Sequence, residues 1–192
     1  MIIRSYGVQL SSLIEEELEL VRQWRNSKFI KEQMLYKEYI SSIQQLAWFQ
    51  SLGRTDLYLM IESKSEKIGV INIKKIDWQN RSGEAGIFIG SEKHRNTMLP
   101  ILAIFALMDT AFDRFNFNTL SAKVLRTNQA TLNMNLELGY QIQKEHSSHF
   151  ELLVSATNYK EQTTVLKSKI DRLILSQTVL ELSDTEKSRF NF

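Results

Sequence analysis

An apolar run from Met98 to Met108, set between two stretches of strand character, constrains this chain more than any other feature. Leu99, Ile101, Leu102, Phe105, Met108, Ala111, Phe112 and Phe115 cover more than half the circumference of a helix running from Leu99 to about Phe115. Such a helix must lie largely buried against an apolar surface. Pro100 falls in its first turn, where a residue without an amide proton is best tolerated. The run is too short to span a bilayer and ends in Asp109. Before it, Glu84-Ala85-Gly86-Ile87-Phe88-Ile89-Gly90 reads as a strand; after it, so does Thr119 to Arg126. Strand, buried helix and strand in succession predict a parallel crossover onto one sheet.

Between the first of these strands and the helix lies a basic polar loop, Ser91 to Met98, centred on Lys93-His94-Arg95-Asn96-Thr97-Met98. Where a strand hands over to a helix N-terminus, free backbone amides and the positive end of the helix dipole face whatever anion sits in front. The junction is therefore an expected anion site.

Upstream, residues 2 to 10 have strand character, and Leu13, Leu18, Leu20, Val21 and Trp24 mark one face of a helix closed by Trp24-Arg25-Asn26-Ser27. Residues 28 to 40 read as a partly helical, aromatic-lined connection. The next helix starts at Ser41 or Ser42, with Ser42 and Gln45 at capping-box spacing, carries Leu46, Trp48, Phe49 and Leu52, and stops at Gly53. Leu57 to Ile61, Ile68 to Ile76 and the strand from Glu84 form an antiparallel meander joined by polar turns. Downstream, a short helix runs from Asn128 to Gly139, and strands Tyr140 to Glu145 and Phe150 to Ser155 flank a His146-Ser147-Ser148 turn. Beyond Asn158, Leu166, Ile170 and Leu173 recur at helical spacing, and the segment around Val179, Leu180 and Leu182 is ambiguous. The expected organisation is one domain over residues 1–156, with a helical extension, residues 157–192, packed on it or on a second subunit. A homodimer is the possible assembly.

Charge and residue usage exclude several classes. The net charge of +2 comes from acids and bases that alternate along the chain, which argues against a nucleic-acid partner. With no cysteine there is no disulfide scaffold, thiolate zinc site or cysteine nucleophile, and the chain suits a reducing compartment. The first residues lack the pattern of a signal peptide, so a cytoplasmic location without membrane attachment is expected. His146 and His149 flank a turn with no carboxylate at metal-ligand spacing nearby, and no metal site is expected.

The order of elements up to about residue 156, with Asn128-Gln129-Ala130 and Leu138-Gly139-Tyr140 after a strand, resembles the GNAT acyltransferase superfamily and its "N-x-A... L-G-[FY]" block. Trp24-Arg25-Asn26, Met34 and Trp48-Phe49 resemble the branch that acetylates a nucleotide-linked amino sugar in the pseudaminic acid pathway; a Trp-Phe pair also occurs in the Rim-type protein N-terminal acetyltransferases. The resemblance implies an α/β (α+β) fold: a mixed, mostly antiparallel sheet of about seven strands with helices on both faces, splayed between the fourth and fifth strands. It implies acetyl-CoA as acyl donor and direct transfer, in a ternary complex, to the amine of a small molecule.

By the same analogy, backbone amides around Ile87, Phe88 and Ile89 hold the pantetheine arm and polarise the thioester carbonyl. Arg95, Asn96, Thr97, Met98 and Asn128 border the rest of the donor. Three positions depart from the family pattern: Met98 and Pro100 replace the glycine and small residue of the pyrophosphate loop, and Asn135 replaces a tyrosine that protonates the leaving thiolate. These departures keep a catalytically degenerate binding module as the alternative class. Glu84 reads as the general base, or else as a solvated strand start. Arg25, Asn26, Met34, Tyr36 and Trp48 are the candidate acceptor-binding residues; capping for the first two, and packing for Trp48, are the bland alternatives.

Overall fold

The computed structural model describes residues 1–173 and 178–190, with the side chains of 171–173 and 189–190 outside it. Nine strands form one sheet: β1 (Ile2–Ser5), β2 (Val8–Ser12), β3 (Leu57–Ser63), β4 (Glu66–Asp77), β5 (Ser82–Ile89), β6 (Thr119–Leu125), β7 (Gln141–Glu145), β8 (His149–Ser155) and β9 (Val179–Glu181). Their order is β7-β8-β6-β5-β4-β3-β2-β1-β9. Among the described residues only β5 and β6 pair in parallel, as the crossover predicts.

The sheet exceeds the expected seven strands for two reasons. Residues 2 to 10 are a hairpin, not one strand: Tyr6 and Gly7 adopt φ of 52° and 74°, the two left-handed positions that match a tight turn to the twist of its strands. The ambiguous segment after residue 178 becomes β9, hydrogen-bonded to the β1 edge.

Alternation in the central strands divides the molecule into two cores. Leu57, Leu59, Ile61, Ile71, Ile73 and Ile89 face a large core filled by α4 (Leu99–Asp109), whose residues Leu102 to Met108 are all buried. Each such side chain contributes about 1.5–3 kcal/mol by leaving water, before entropy is subtracted. The helix continues through a widened π turn, Thr110–Arg114, to Phe115. Met60 and Val70, on the opposite face, meet Leu18 and Val21 of α1 (Leu18–Asn26), with Trp24, Leu46, Trp48, Phe49, Tyr58 and Phe88 packed around them. After α1 come the short α2 (Lys28–Glu32) and α3 (Ser42–Gln50). The α3 cap lies one residue earlier than the spacing predicts: Ser41, not Ser42, accepts from the Gln44 amide, and the Gln44 side chain returns to the Ser41 amide at 2.8 Å.

Past α5 (Gln129–Glu137) and the β7–β8 hairpin, α6 (Ala156–Leu173) docks on the α4 side. Its anchor is Tyr159, fully buried, whose hydroxyl donates to Asp109 at 2.9 Å, and Lys167 pairs with the same carboxylate. Of the three-residue stripe read in the sequence, Ile170 is buried, Leu166 faces outward, and the Leu173 side chain lies outside the described residues. The final helix, α7 (Asp184–Phe190), is tied to β2 by the Ser12 hydroxyl on Glu186.

One feature of the sheet positions the site. β5 and β6 are in register only at Ser82–Thr119, Gly83–Leu120 and Glu84–Ser121. From Ala85 to Ile89, β5 pairs with β4 alone, so the sheet opens there in a V.

Candidate active site

Glu84 stands where the V begins, on the face covered by α1 and α3. It is 8% exposed and paired with Lys74 at 3.0 Å and Lys75 at 2.9 Å. Adjacent strand residues normally point to opposite faces. Here the β4–β5 register breaks between Lys74 and Asp77, and Lys75 takes a left-handed φ of 52°, so consecutive lysines both reach one carboxylate. For a side-chain-bearing residue that conformation costs about 1–2 kcal/mol. Burial pushes the Glu84 carboxyl up, but hydrogen bonds and charge from Lys75 and Lys74 outweigh it and hold the group below the ordinary glutamate range. Glu84 is therefore no solvated strand start; it is an ionised carboxylate at the cleft wall.

Around it the structure gathers some of the expected acceptor residues and adds others. Tyr58, Asn72 and Gly86 share one cross-strand row beside Glu84. Trp48 meets the Tyr58 ring edge-on at 4.8 Å between centroids. Burial, then Asp56, with a smaller contribution from Glu84 and against the pull of Arg25, push the Tyr58 phenol up to about 12, so it stays a neutral hydrogen-bond donor. Arg25 reaches in from α1 with its guanidinium 6.0 Å from the centre of the Phe88 ring. Burial lowers its pKa, Tyr58 and Tyr36 act weakly against that, and no hydrogen bond or ion pair engages it among the described residues.

Asn26 is placed differently: its amide holds both the Ile40 amide and carbonyl at 2.8 Å, which pins the aromatic connection to α1. Met34 is half-buried in that connection, and Tyr36 is half-exposed beside Arg25. Sequence reasoning missed Tyr58, Asn72, Lys74 and Lys75. Reading Leu57 to Ile61 as one continuous apolar run hid the face of Tyr58, and nothing local marks the bulge at Lys75.

The loop at the α4 N-terminus has the expected backbone and differently employed side chains. The amides of Asn96, Thr97 and Met98 donate no hydrogen bond among the described residues, and Thr97 Oγ1 accepts from the Leu99 amide at 3.2 Å. Lys93 and His94 turn to Glu66 at the start of β4, His94 at 3.7 Å, and His94 Nδ1 also meets Ser91 Oγ at 2.8 Å. Arg95 donates to the Ile89 and Gly90 carbonyls at 3.3 and 3.1 Å and stacks 4.0 Å over Phe29. Met98 is 54% exposed. A β5 edge without a strand partner at Ile87 and Phe88, followed by unbonded loop amides, fits a ligand that carries amides and then a pyrophosphate.

On the β6 side of the V, Asn128 and Asn135 both serve α5 itself. Asn128 accepts from the Thr131 amide at 3.1 Å as N-cap, and buried Asn135 donates to the Thr131 carbonyl at 2.8 Å. At the far end of β8 the expectation of no carboxylate near the two turn histidines is corrected. The hairpin brings His146, His149 and Glu151 together, their ligand atoms within 4.8 Å of one another. No helix among the described residues is long and apolar enough to cross a membrane.

Comparison with curated proteins returns no match. Solved structures of similar fold include a spermidine N-acetyltransferase from Vibrio cholerae in complex with CoA and spermine, 16% identical, with a TM-score of 0.69 over 80% of this chain and 98% of that one. FdhC, a nucleotide-linked sugar GNAT, is 16% identical with a TM-score of 0.73 over 87% of this chain and 97% of its own. The N-acetyltransferase PseH of Campylobacter jejuni is 20% identical with a TM-score of 0.58 over 80% and 96%. At these identities the likeness shows the fold alone. The model of the acetyltransferase (GNAT) domain, however, matches residues 8–141, more than half of the chain, and the chain belongs to that family.

Proposed function

We propose that this GNAT domain acetylates the amine of a nucleotide-linked amino sugar, with acetyl-CoA as donor. The observation that carries the reading is the unpaired, half-buried Arg25 guanidinium beside Tyr58 and Phe88. A guanidinium withdrawn from water without a partner is costly, and a phosphate or carboxylate of the acceptor would relieve that cost. Lys74 and Lys75 add positive charge, against the carboxylates of Glu84 and, beside Tyr58, Asp56. Arg25, Lys74 and Lys75 outnumber Glu84 and Asp56, and this smaller excess of positive charge disfavours a polyamine and favours a diphosphate. Trp48, Tyr58 and Phe88 offer aromatic faces to a sugar or base.

The donor supplies an activated acyl thioester. Open amides along β5 near Ile87 and Phe88 orient its carbonyl, and the amides of Asn96, Thr97 and Met98 receive its phosphates. Glu84, ionised at neutral pH, takes the proton that the acceptor amine loses as it bonds to the acyl carbon, directly or through one water. Asn135 lacks an acidic proton, so the sulfur departs without a proton from that residue.

Rates of thiol release from acetyl-CoA with a UDP-linked amino sugar, spermidine and an N-terminal peptide test the reading. The expected kcat/KM for the sugar nucleotide exceeds the others by roughly tenfold or more, the worth of one charged hydrogen bond. A preference for spermidine overturns the acceptor assignment, and a preference for the peptide favours the Rim-type alternative. The binding-module reading is favoured by the loop's engaged cations, and calorimetry without detectable acetyl-CoA binding at millimolar ligand would establish it.

A further inference from the structure

We propose that His146, His149 and Glu151 form a binding site for a divalent transition-metal cation of the zinc class. The pattern His-Ser-Ser-His-Phe-Glu explains how they meet. His146 and His149 close the turn between β7 and β8, with the His146 amide donating to the His149 carbonyl at 2.9 Å. Closing residues of a hairpin project to the same face, and Glu151, two residues on, joins them there. The imidazoles stack 4.4 Å apart at 10°, and their Nε2 atoms lie 3.3 Å (His146) and 3.9 Å (His149) from Glu151 Oε1. Two ligand atoms on a tetrahedral zinc stand roughly 3.3 Å apart, because each bond is about 2.0–2.1 Å long.

Two further observations point to a ligand. Both Nε2 atoms are buried with no hydrogen bond, which is unusual for polar atoms excluded from water. His149 Nδ1 meets Ser148 Oγ at 3.0 Å; with the ring proton donated there, the Nε2 lone pair is left directed at the carboxylate. An outer hydrogen bond that fixes the tautomer in this way is the usual support of a metal-ligating imidazole. The rings lie parallel, so a modest opposite rotation about their Cβ–Cγ bonds is what aims both lone pairs at one point before Glu151. Imidazole nitrogens with a carboxylate select zinc and its neighbours over magnesium or calcium, which prefer oxygen alone. Three protein ligands leave a position for water. The chain has three histidines and no cysteine, so no second pair of imidazoles competes with this one.

Lys123 pairs with Glu151 Oε1 at 3.1 Å from the neighbouring strand, a resident positive charge that weakens the site. Its position gives the test a variant that gains affinity. The cluster lies on the sheet face that carries Glu84, beyond the point where β5 leaves β6, so a bound cation sits at the rim of the cleft and outside the core.

Titration of the whole chain with zinc chloride by calorimetry, with cobalt(II) absorption as a second readout, tests the assignment. One ion per chain is expected, with affinity falling by roughly tenfold or more in His149→Gln and in Glu151→Gln, the loss typical of damage to a metal's ligand shells. His94→Gln should keep the wild-type affinity, and Lys123→Met should bind more tightly. Circular dichroism matched to the wild type shows that each variant is folded. Absence of saturable binding overturns the proposal, as does binding that survives both ligand substitutions or is lost in His94→Gln.

Discussion

Two groups of basic side chains lie along β5, and they differ in one member: the loop's are all engaged, whereas the cleft's include Arg25, which has no hydrogen bond among the described residues. In the loop before α4, Lys93 and His94 face Glu66 while Arg95 holds two carbonyls and an aromatic ring. In the cleft, Lys74 and Lys75 share one buried carboxylate where the V begins, and Arg25, farther along beside Phe88, has no hydrogen-bonding partner among the described residues. The difference teaches that positive charge counted in a sequence is not positive charge available to a ligand. On the proposed function, donor binding then falls to the backbone of the loop, and acceptor selection to the side chains of the cleft.

Glu84→Gln strikes the cleft hardest. As a general base Glu84 contributes roughly 10²–10⁴-fold, so kcat should fall by that factor while KM for the donor stays within a few-fold. A kcat within threefold of wild type removes the base role. The same residue leaves a mark on stability. Its folded pKa lies below the unfolded value near 4.5, so its contribution is fully present above that pH and is lost as pH falls through the lower folded value. Thermal unfolding from neutral to strongly acid pH should show this acid step in the wild type and a smaller one in Glu84→Gln.

Arg25→Gln separates the two regions next. A hydrogen bond from a charged group contributes about 1.5–3 kcal/mol, so kcat/KM for a sugar nucleotide should drop roughly 10–100-fold. The same amino sugar without its nucleotide should be little affected, and so should the donor KM. Equal losses for both acceptors would mean that Arg25 supports the fold of the cleft and selects nothing.

Gly90→Ala probes the joint between the regions. Trp24 of α1 rests on Gly90, where an added Cβ would come 2.0 Å from the indole. Overpacking of this kind costs about 1–3 kcal/mol. A lowered Tm with raised KM for both substrates is expected, because the helix carrying Arg25 and the residue that leads into the loop shift together. If only the donor KM rises, the regions are mechanically independent.

The sequence was readable where a pattern is local and strong. The parallel crossover followed from the apolar run at Met98 to Met108, and the turn around His146 from its polar residues between alternating strands. What escaped depends on register and on distant partners. Tyr6 carries a positive φ that tyrosine rarely adopts, so the first hairpin looked like one strand. β9 has three residues and exists only because β1 offers an edge. In the site, Glu84, Trp48 and Arg25 were legible as candidates, but the bulge that turns Lys75 onto Glu84 is a backbone event with no residue signature. Asn26 looked equally suited to binding, and only the fold reveals that Ile40 occupies its amide. The loop was legible as a candidate anion site by its amides and misleading by Lys93, whose partner Glu66 arrives from another hairpin.

Glu66→Gln tests that last point and carries the smallest expected effect. Glu66 and Lys93 are both well exposed, and exposed pairs contribute little, so releasing Lys93 and His94 toward the donor phosphates should tighten CoA binding by only roughly two- to fivefold. The gain should appear at low ionic strength and vanish near about 0.5 M salt, where the screening length is shorter than the separations involved. Calorimetric titration with CoA at both salt concentrations measures it. An unchanged low-salt affinity would mean that these side chains lie beyond reach of the phosphates whatever Glu66 does. A weaker affinity would invert the comparison: Glu66 would then be the strut that holds the loop amides toward their anion, and its pairing with Lys93 part of the binding site instead of its competitor.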